Sequence, residues 1–210
     1  MPDIASRFSV LTEEQTATPL AGAFAIRSVG ADEWSSHARE VLEVALPREY
    51  VIDGSKALSP DEMAEAVNFD SVLSCETLQH HFLFEREGEL VGVYRGLQDF
   101  GARYYMACTA ILPAFQRCGL YSAFLERLIS IADGTGFGQI YSRHHADNNT
   151  VIVPKLKRGF VIAAFEVSPR YGLLIELRRY RYEGHQRLHR YRVEASLEHA
   201  SLARDGIVKV

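Results

Sequence analysis

The chain has 210 residues, 47% hydrophobic and 24% charged, the values of an ordinary globular chain able to bury one good core. A formal net charge of −4 excludes a nucleic-acid or anionic-membrane binder that works through global charge. No stretch approaches the ~20 uninterrupted apolar residues of a membrane span. Cys75, Cys108 and Cys118 are widely spaced and form no Cys-x-x-Cys pair, which fits a reducing compartment rather than a disulfide framework or a metal knuckle. The opening residues lack a basic segment followed by an apolar run, so a cytoplasmic location is expected, with no membrane and no nucleic-acid partner.

Residues 1–20 are rich in Ser, Thr, Glu and Ala without a sustained period and read as a flexible arm. "GAFAIRSVG" then alternates like a half-buried strand, and "ADEWSSHAREVLEVAL" repeats apolar positions at helical spacing with Trp34, Val41 and Leu42 on the buried side. Ser59 followed by Pro60 and acidic residues starts a second short helix over 59–69. "HHFLFER" and "LVGVYRGL" flank Glu87-Gly88-Glu89 as an antiparallel hairpin, and "RYYMACTAILP" is a long strand ending at Pro113. A helix "QRCGLYSAFLERLISIADG", a strand "FGQIYSRHH", a helix "NNTVIVPKLKRG" and strands "FVIAAFEVS" and "YGLLIELRRY" follow. Hairpins mixed with crossover units define an α/β domain over 21–180, with a mixed sheet of about seven strands flanked by helices. Residues 181–210 form a basic extension whose "VEASLEHASLARDG" reads as a short amphipathic helix; it is expected to be solvated or to make a homodimer contact.

The segment Gln116-Arg117-Cys118-Gly119-Leu120-Tyr121-Ser122 lies where strand gives way to helix. Amides in a first helical turn have no intrahelical acceptor, so those of residues 117–122 can bind a pyrophosphate, with Gly119 allowing close approach and Arg117 adding charge. "GTGFG" (134–138) follows a helix and precedes a strand, the reverse of a dinucleotide loop, and is a helix cap and turn. Cys108, inside an apolar strand, reads as a small core residue, and His80-His81 has no evident partner.

Ala110-Ile111-Leu112-Pro113 followed by Gln116-Arg117-Cys118-Gly119-Leu120-Tyr121, and Asn148 followed eleven residues later by Gly159-Phe160, resemble the two motifs of the GNAT superfamily of acyl-CoA-dependent N-acyltransferases. With the element order, the resemblance covers roughly residues 22–180. It implies that the strand carrying Ile111 splays from "QIYSRHH" and that the pantetheine arm of acetyl-CoA lies in the gap. Ala110, Ile111 and Leu112 would meet that arm, the amide of Ile111 or Leu112 would polarise the thioester, residues Gln116 to Ser122 would cradle the pyrophosphate, and Asn148 would contact pantetheine or acceptor.

The sequence departs from the family pattern twice. Tyr121 stands where a small residue is usual. Lys155, preceded by Pro154, stands where many members carry a Tyr that protonates the departing thiolate. A lysine with an ordinary pKa near ~10.4 is a poor acid at neutral pH unless burial lowers it, and a charged residue on the solvent face of "KLKRG" is the weightier expectation. Tyr121, Tyr141 and a water are the other candidates. For the base that takes the amine proton, His144 and His145 are the candidates, and strand alternation sends one of them to the cleft without saying which. The resemblance implies an N-acetyltransferase acting on a primary amine of a small molecule in a ternary complex. A catalytically degenerate acyl-CoA-binding or interaction module, or a protein or peptide N-acetyltransferase, are the alternatives.

Overall fold

The computed structural model describes residues 3–20, 23–46, 59–64 and 78–194. Helix α1 (Ile4–Thr16) begins at Asp3, whose carboxylate accepts the Ser6 N–H at 2.8 Å. The expected loosely ordered arm is therefore a capped helix over most of its length. Ile4, Phe8 and Leu11, at spacings of four and three, supply a narrow apolar stripe, and Phe8 is 1% exposed with its ring stacked on His80. So sparse a stripe is anchored by tertiary packing rather than by helix propensity.

Strand β1 (Phe24–Val29) leads to α2 (Ala31–Ala45), which starts with Asp32 and Glu33 in its first turn and buries Trp34, Ala38 and Val41. Residues 60–64 are helical, and Ser59 and Glu62 exchange capping hydrogen bonds there. The remainder of that expected helix, and nearly all of the amphipathic helix expected near the C-terminus, fall outside the described residues. Strands β2 (Gln79–Arg86) and β3 (Glu89–Asp99) form the expected hairpin, followed by β4 (Arg103–Ile111), α3 (Leu120–Thr135), β5 (Gln139–His145), α4 (Asn149–Leu156), β6 (Val161–Ser168), β7 (Gly172–Tyr180) and α5 (Glu183–Glu194). The tail thus continues as a helix, whose His189 Nδ1 lies 3.5 Å from the Tyr180 hydroxyl.

The seven strands form one mixed sheet in the order β1-β2-β3-β4-β5-β7-β6. Every neighbouring pair is antiparallel except β4 and β5, which are parallel and in register only at Arg103–Gln139, Tyr104–Ile140 and Tyr105–Tyr141. Beyond Tyr105 and Tyr141 the two strands part. A bulge on β4 sharpens the divergence: Arg95 lies opposite Cys108 and Gly96 opposite Met106, so Ala107 is the extra residue.

Helices α1 and α3 cover one face of the sheet over Phe82, Phe84, Tyr94, Tyr104 and Met106, and α2 covers part of the other over Leu83, Val93 and Ala110. Gly96 is a packing requirement, since a Cβ there would collide with the hydroxyls of Tyr94 and Tyr104, which are hydrogen-bonded to each other at 3.0 Å. Among the described residues no helix is long and apolar enough to cross a membrane.

Candidate active site

Where β4 ends, a short 3-10 turn (Pro113–Phe115) leads into a loop in which Arg117 (φ 58°) and Gly119 (φ 88°) take left-handed backbone conformations before α3 begins. The first helical bond runs from Ala123 N–H to the Gly119 carbonyl at 3.0 Å, and the amides of Arg117 through Ser122 have no backbone acceptor among the described residues. Arg117 and Cys118 are exposed beside them, and the Gln116 carboxamide donates to the Ile111 carbonyl at 2.8 Å, tying the loop to the strand end. The loop has the free donors and the open backbone that a pyrophosphate needs. Leu120 is buried in the core. Tyr121, whose bulk the sequence places in the loop, turns inward onto the core, where its hydroxyl is buried with no hydrogen-bond partner among the described residues and burial drives the phenol pKa up.

Of Ala110, Ile111 and Leu112, one residue presents its backbone to the gap. Leu112 N–H is spent on the Val91 carbonyl at 2.9 Å, and the Ala110 carbonyl points at Gly92 of β3. In an antiparallel ladder successive residues direct their polar groups to opposite sides, so Ile111, and Thr109 two residues before it, aim theirs away from β3 and across the gap. Of the two expected amides, that of Leu112 is occupied, while those of Ile111 and Thr109 face away from β3.

The sharpest correction concerns Lys155. It is 1% exposed rather than on a solvent face. The spacing from Ile152 explains this, because residues three apart share a helix stripe; Ile152 and Lys155 face the sheet while Val153 and Leu156 are the exposed pair. Lys155 Nζ donates to Ser142 Oγ and to Met106 Sδ at 3.4 Å, and lies 5.2 Å from the centroid of the Phe160 ring. His144 Nε2 is 2.9 Å from the same Ser142 oxygen. Met106 and Ser142 are the residues immediately after the last β4–β5 pair, so this chain sits at the point where the strands part. Burial holds the Lys155 amine well below its ordinary pKa. Burial, and then the neighbouring lysine charge, pushes His144 down to about 2. Burial thus works against charge on both groups. Ser142, 0% exposed, was not singled out in the sequence; its signal is a hydroxyl at the inward parity of a strand, two residues before a histidine.

The same alternation sends Tyr141, Arg143 and His145 to the opposite face, separating His145 from Lys155. There Tyr105 stacks on Tyr141 with ring centroids 4.8 Å apart, and the Tyr141 hydroxyl donates to Asp99 at 2.7 Å. Burial, then that carboxylate, raises the Tyr141 phenol. Arg103 pairs with Asp99 at 2.8 Å, Arg143 reaches Glu166 at 3.2 Å and Glu176 at 3.6 Å, and Arg178 also grips Glu176. Asn148 sits at the start of α4, its side-chain oxygen accepting from Thr150 at 2.7 Å.

Residues 42–160 match the profile of the Acetyltransferase (GNAT) family. No curated protein matches the sequence. Among solved structures, an IAA acetyltransferase from Bacillus cereus is 15% identical with a TM-score of 0.53, the match covering 75% of this chain and 99% of that one. A GNAT family acetyltransferase from Elizabethkingia anophelis, solved with acetyl-CoA bound, is 15% identical with a TM-score of 0.53 over 76% of this chain and 99% of that one. The ribosomal-protein-S18-alanine N-acetyltransferase from Escherichia coli is 18% identical with a TM-score of 0.54 over 75% and 93%. At such identities the likeness to these structures is one of fold. The profile spans more than half of the sequence, and on that basis the chain belongs to the Acetyltransferase (GNAT) family.

Proposed function

We propose that the chain transfers an acetyl group from acetyl-CoA to a primary amine of a small molecule, by direct attack with both substrates held in the gap between β4 and β5. The observation that carries this reading is the end of β4–β5 pairing at Tyr105–Tyr141, with the unsatisfied amides of residues 117–122 at one end of the opening and a buried lysine at its apex. Acetyl-CoA supplies the activated acyl group. The amides of Arg117 through Ser122 and the Arg117 guanidinium hold its phosphates, and the outward amides of Thr109 and Ile111 orient the pantetheine arm and polarise the acyl carbonyl.

The remaining task is to move one proton from the amine to the departing sulfur. A lysine in water is already protonated at neutral pH and cannot accept; burial lowers the Lys155 pKa and so favours the neutral amine, which can accept at Nζ and then donate from the same atom. Ser142 Oγ fixes that Nζ and joins it to His144, the histidine on the same side of β5. The Tyr121 hydroxyl is buried in the core, and the Tyr141 hydroxyl donates to Asp99.

Thermal unfolding with and without acetyl-CoA tests the binding step. Ligand at ~100 times its dissociation constant stabilises the fold by about 2.7 kcal/mol. The shift is expected in the wild type and lost in an Arg117→Ala, Gly119→Trp double variant, after which thiol release is measured across a panel of amines. A folded wild type that shows no shift with acetyl-CoA overturns the reading.

A further inference from the structure

The face of the sheet opposite Lys155 holds an imbalance. Its three carboxylates around the gap, Asp99, Glu166 and Glu176, each meet an arginine: Arg103 for the first, Arg143 for the second, and both Arg143 and Arg178 for the third. Arg95 is the cation left over. It has no ion pair and no hydrogen bond among the described residues, and its Nε is fully shielded from solvent without a partner. The residue is half-buried, with Nε shielded, and the planar fork of a guanidinium matches a carboxylate in two parallel hydrogen bonds.

The position of Arg95 makes the imbalance functional. It lies in mid-strand β3, opposite His81 of β2 and Cys108 of β4, three β4 residues beyond the last residue that pairs with β5. Its neighbour Tyr94 faces α3, so alternation turns Arg95 to the other face, away from the helix start that would hold phosphates. Arg95 therefore cannot be assigned to the CoA phosphates. Trp34 of α2, whose ring centroid is 5.3 Å from that of His81, closes one side, and the stacked Tyr105 and Tyr141 lie on the other. Cys108 beside it is a half-buried thiol whose pKa desolvation pushes up to about 11, which leaves it neutral and offers the guanidinium no counter-charge.

We propose that the acceptor enters on this face and that Arg95 binds a carboxylate on it, so that the substrate class is a small amine that also carries a carboxylate, an amino acid rather than a polyamine or an amino sugar. This rests on the acetyltransferase reading above. The carboxylate docks at Arg95 and the amine extends into the gap toward the Lys155 side, where it loses its proton.

The test separates the two claims. Thermal shifts are measured with acetyl-CoA alone, then with unreactive carboxylates that lack an amine, such as hydrocinnamate and glutarate, and thiol release is measured with amino acids beside their decarboxylated amines. An acetyl-CoA shift is expected in wild type and in Arg95→Gln alike. Amino acids are expected to outrun their decarboxylated amines by about tenfold or more in kcat/KM, the scale of a charge-assisted hydrogen bond, and the unreactive acids to stabilise the wild type. Both effects should vanish in Arg95→Gln, while Arg95→Lys keeps part of the preference. A wild type that prefers the decarboxylated amines, or an Arg95→Gln variant that keeps the carboxylate effect, overturns the proposal. Absence of the acetyl-CoA shift in wild type sinks the acetyltransferase reading instead, and the response to unreactive carboxylates then decides Arg95 on its own.

Discussion

Two faces of one strand differ more than two ends of the molecule. Ser142 and His144 of β5 look toward α4 into a region where Ser142 is 0% and Lys155 1% exposed, whereas Tyr141, Arg143 and His145, the residues between and beside them, look toward a surface laced with ion pairs. On the dry face burial drives His144 and Lys155 toward their neutral forms; on the wet face the carboxylates of Asp99, Glu166 and Glu176 each meet an arginine. Environment acts on charge here beyond residue type, since burial disfavours the charged form of a lysine on one side of the sheet while arginines on the other side are ion-paired. The dry face suits moving a proton, and the wet face suits recognising a polar substrate.

The contrast is broken most severely by Lys155→Met, which keeps the volume and removes the amine. Turnover is expected to fall by about 10²–10⁴-fold, the range of general acid–base catalysis, with the acetyl-CoA thermal shift retained. Stability should move the other way. Burial lowers the folded lysine's pKa below the unfolded value of about 10.4, so the unfolded chain binds more protons in that interval and wild-type stability rises as the pH climbs toward that value. The variant has no such slope and melts higher at pH 7. Calorimetry from pH 7 to 9.5 reads both effects, and a wild type without the slope means that Lys155 stays charged and that the dry face is not dry.

Acid should damage the dry face next. His80, wedged against Phe8 and 3.2 Å from the Tyr104 hydroxyl, is pushed by burial to about 3, and His144 to about 2. Their stabilising neutrality is complete above the unfolded value near 6.5. It is lost as pH falls toward the folded values, because the unfolded chain binds protons that the folded one refuses. The loss is ~1.4 kcal/mol per pH unit for each histidine. Urea midpoints between pH 6.5 and 4 should fall steeply, and His144→Asn should remove about half of the slope.

A smaller effect is expected at the hydroxyl that joins the two bases. Ser142→Ala leaves Lys155 Nζ with only the Met106 sulfur and takes from His144 its contact at 2.9 Å, at a cost of about 1–3 kcal/mol for donors left unsatisfied. Because Nζ loses its anchor, kcat should drop more than KM rises, and Ser142→Thr should recover part of it. Equal losses in both constants would show that Ser142 is structural only.

The order of elements, the seven strands and the loop at Gly119 were legible in the sequence because each rests on local signals: alternation, a positive-φ glycine and the offset from Asn148 to Gly159-Phe160. What escaped was set by distant parts of the chain. The arm that proved to be α1 owes its helix to Phe8 meeting His80, more than seventy residues away. Lys155 read as solvated because a lysine near Lys157 and Arg158 looks like surface, yet the three-residue offset from Ile152 was there to be read. Arg95 gave no signal, since nothing local distinguishes an unpaired arginine from one in an ion pair.

The least disruptive change lies on the wet face. Arg143 is joined to Glu166 and Glu176, but its side chain is 41% exposed, so water already screens both contacts. Glu176 also keeps Arg178 when Arg143 is removed. Exposed pairs of this kind contribute ~0–1 kcal/mol, and Arg143→Ala should shift Tm by no more than about 4 °C at low salt and less at high salt. If substrate recognition belongs to this face, the same variant changes KM for a charged acceptor while leaving the Lys155-dependent pH slope of stability intact. A variant that instead flattened that slope would show the two faces to be electrostatically coupled through β5, and the division of labour between them would fail at its weakest contact rather than at its strongest.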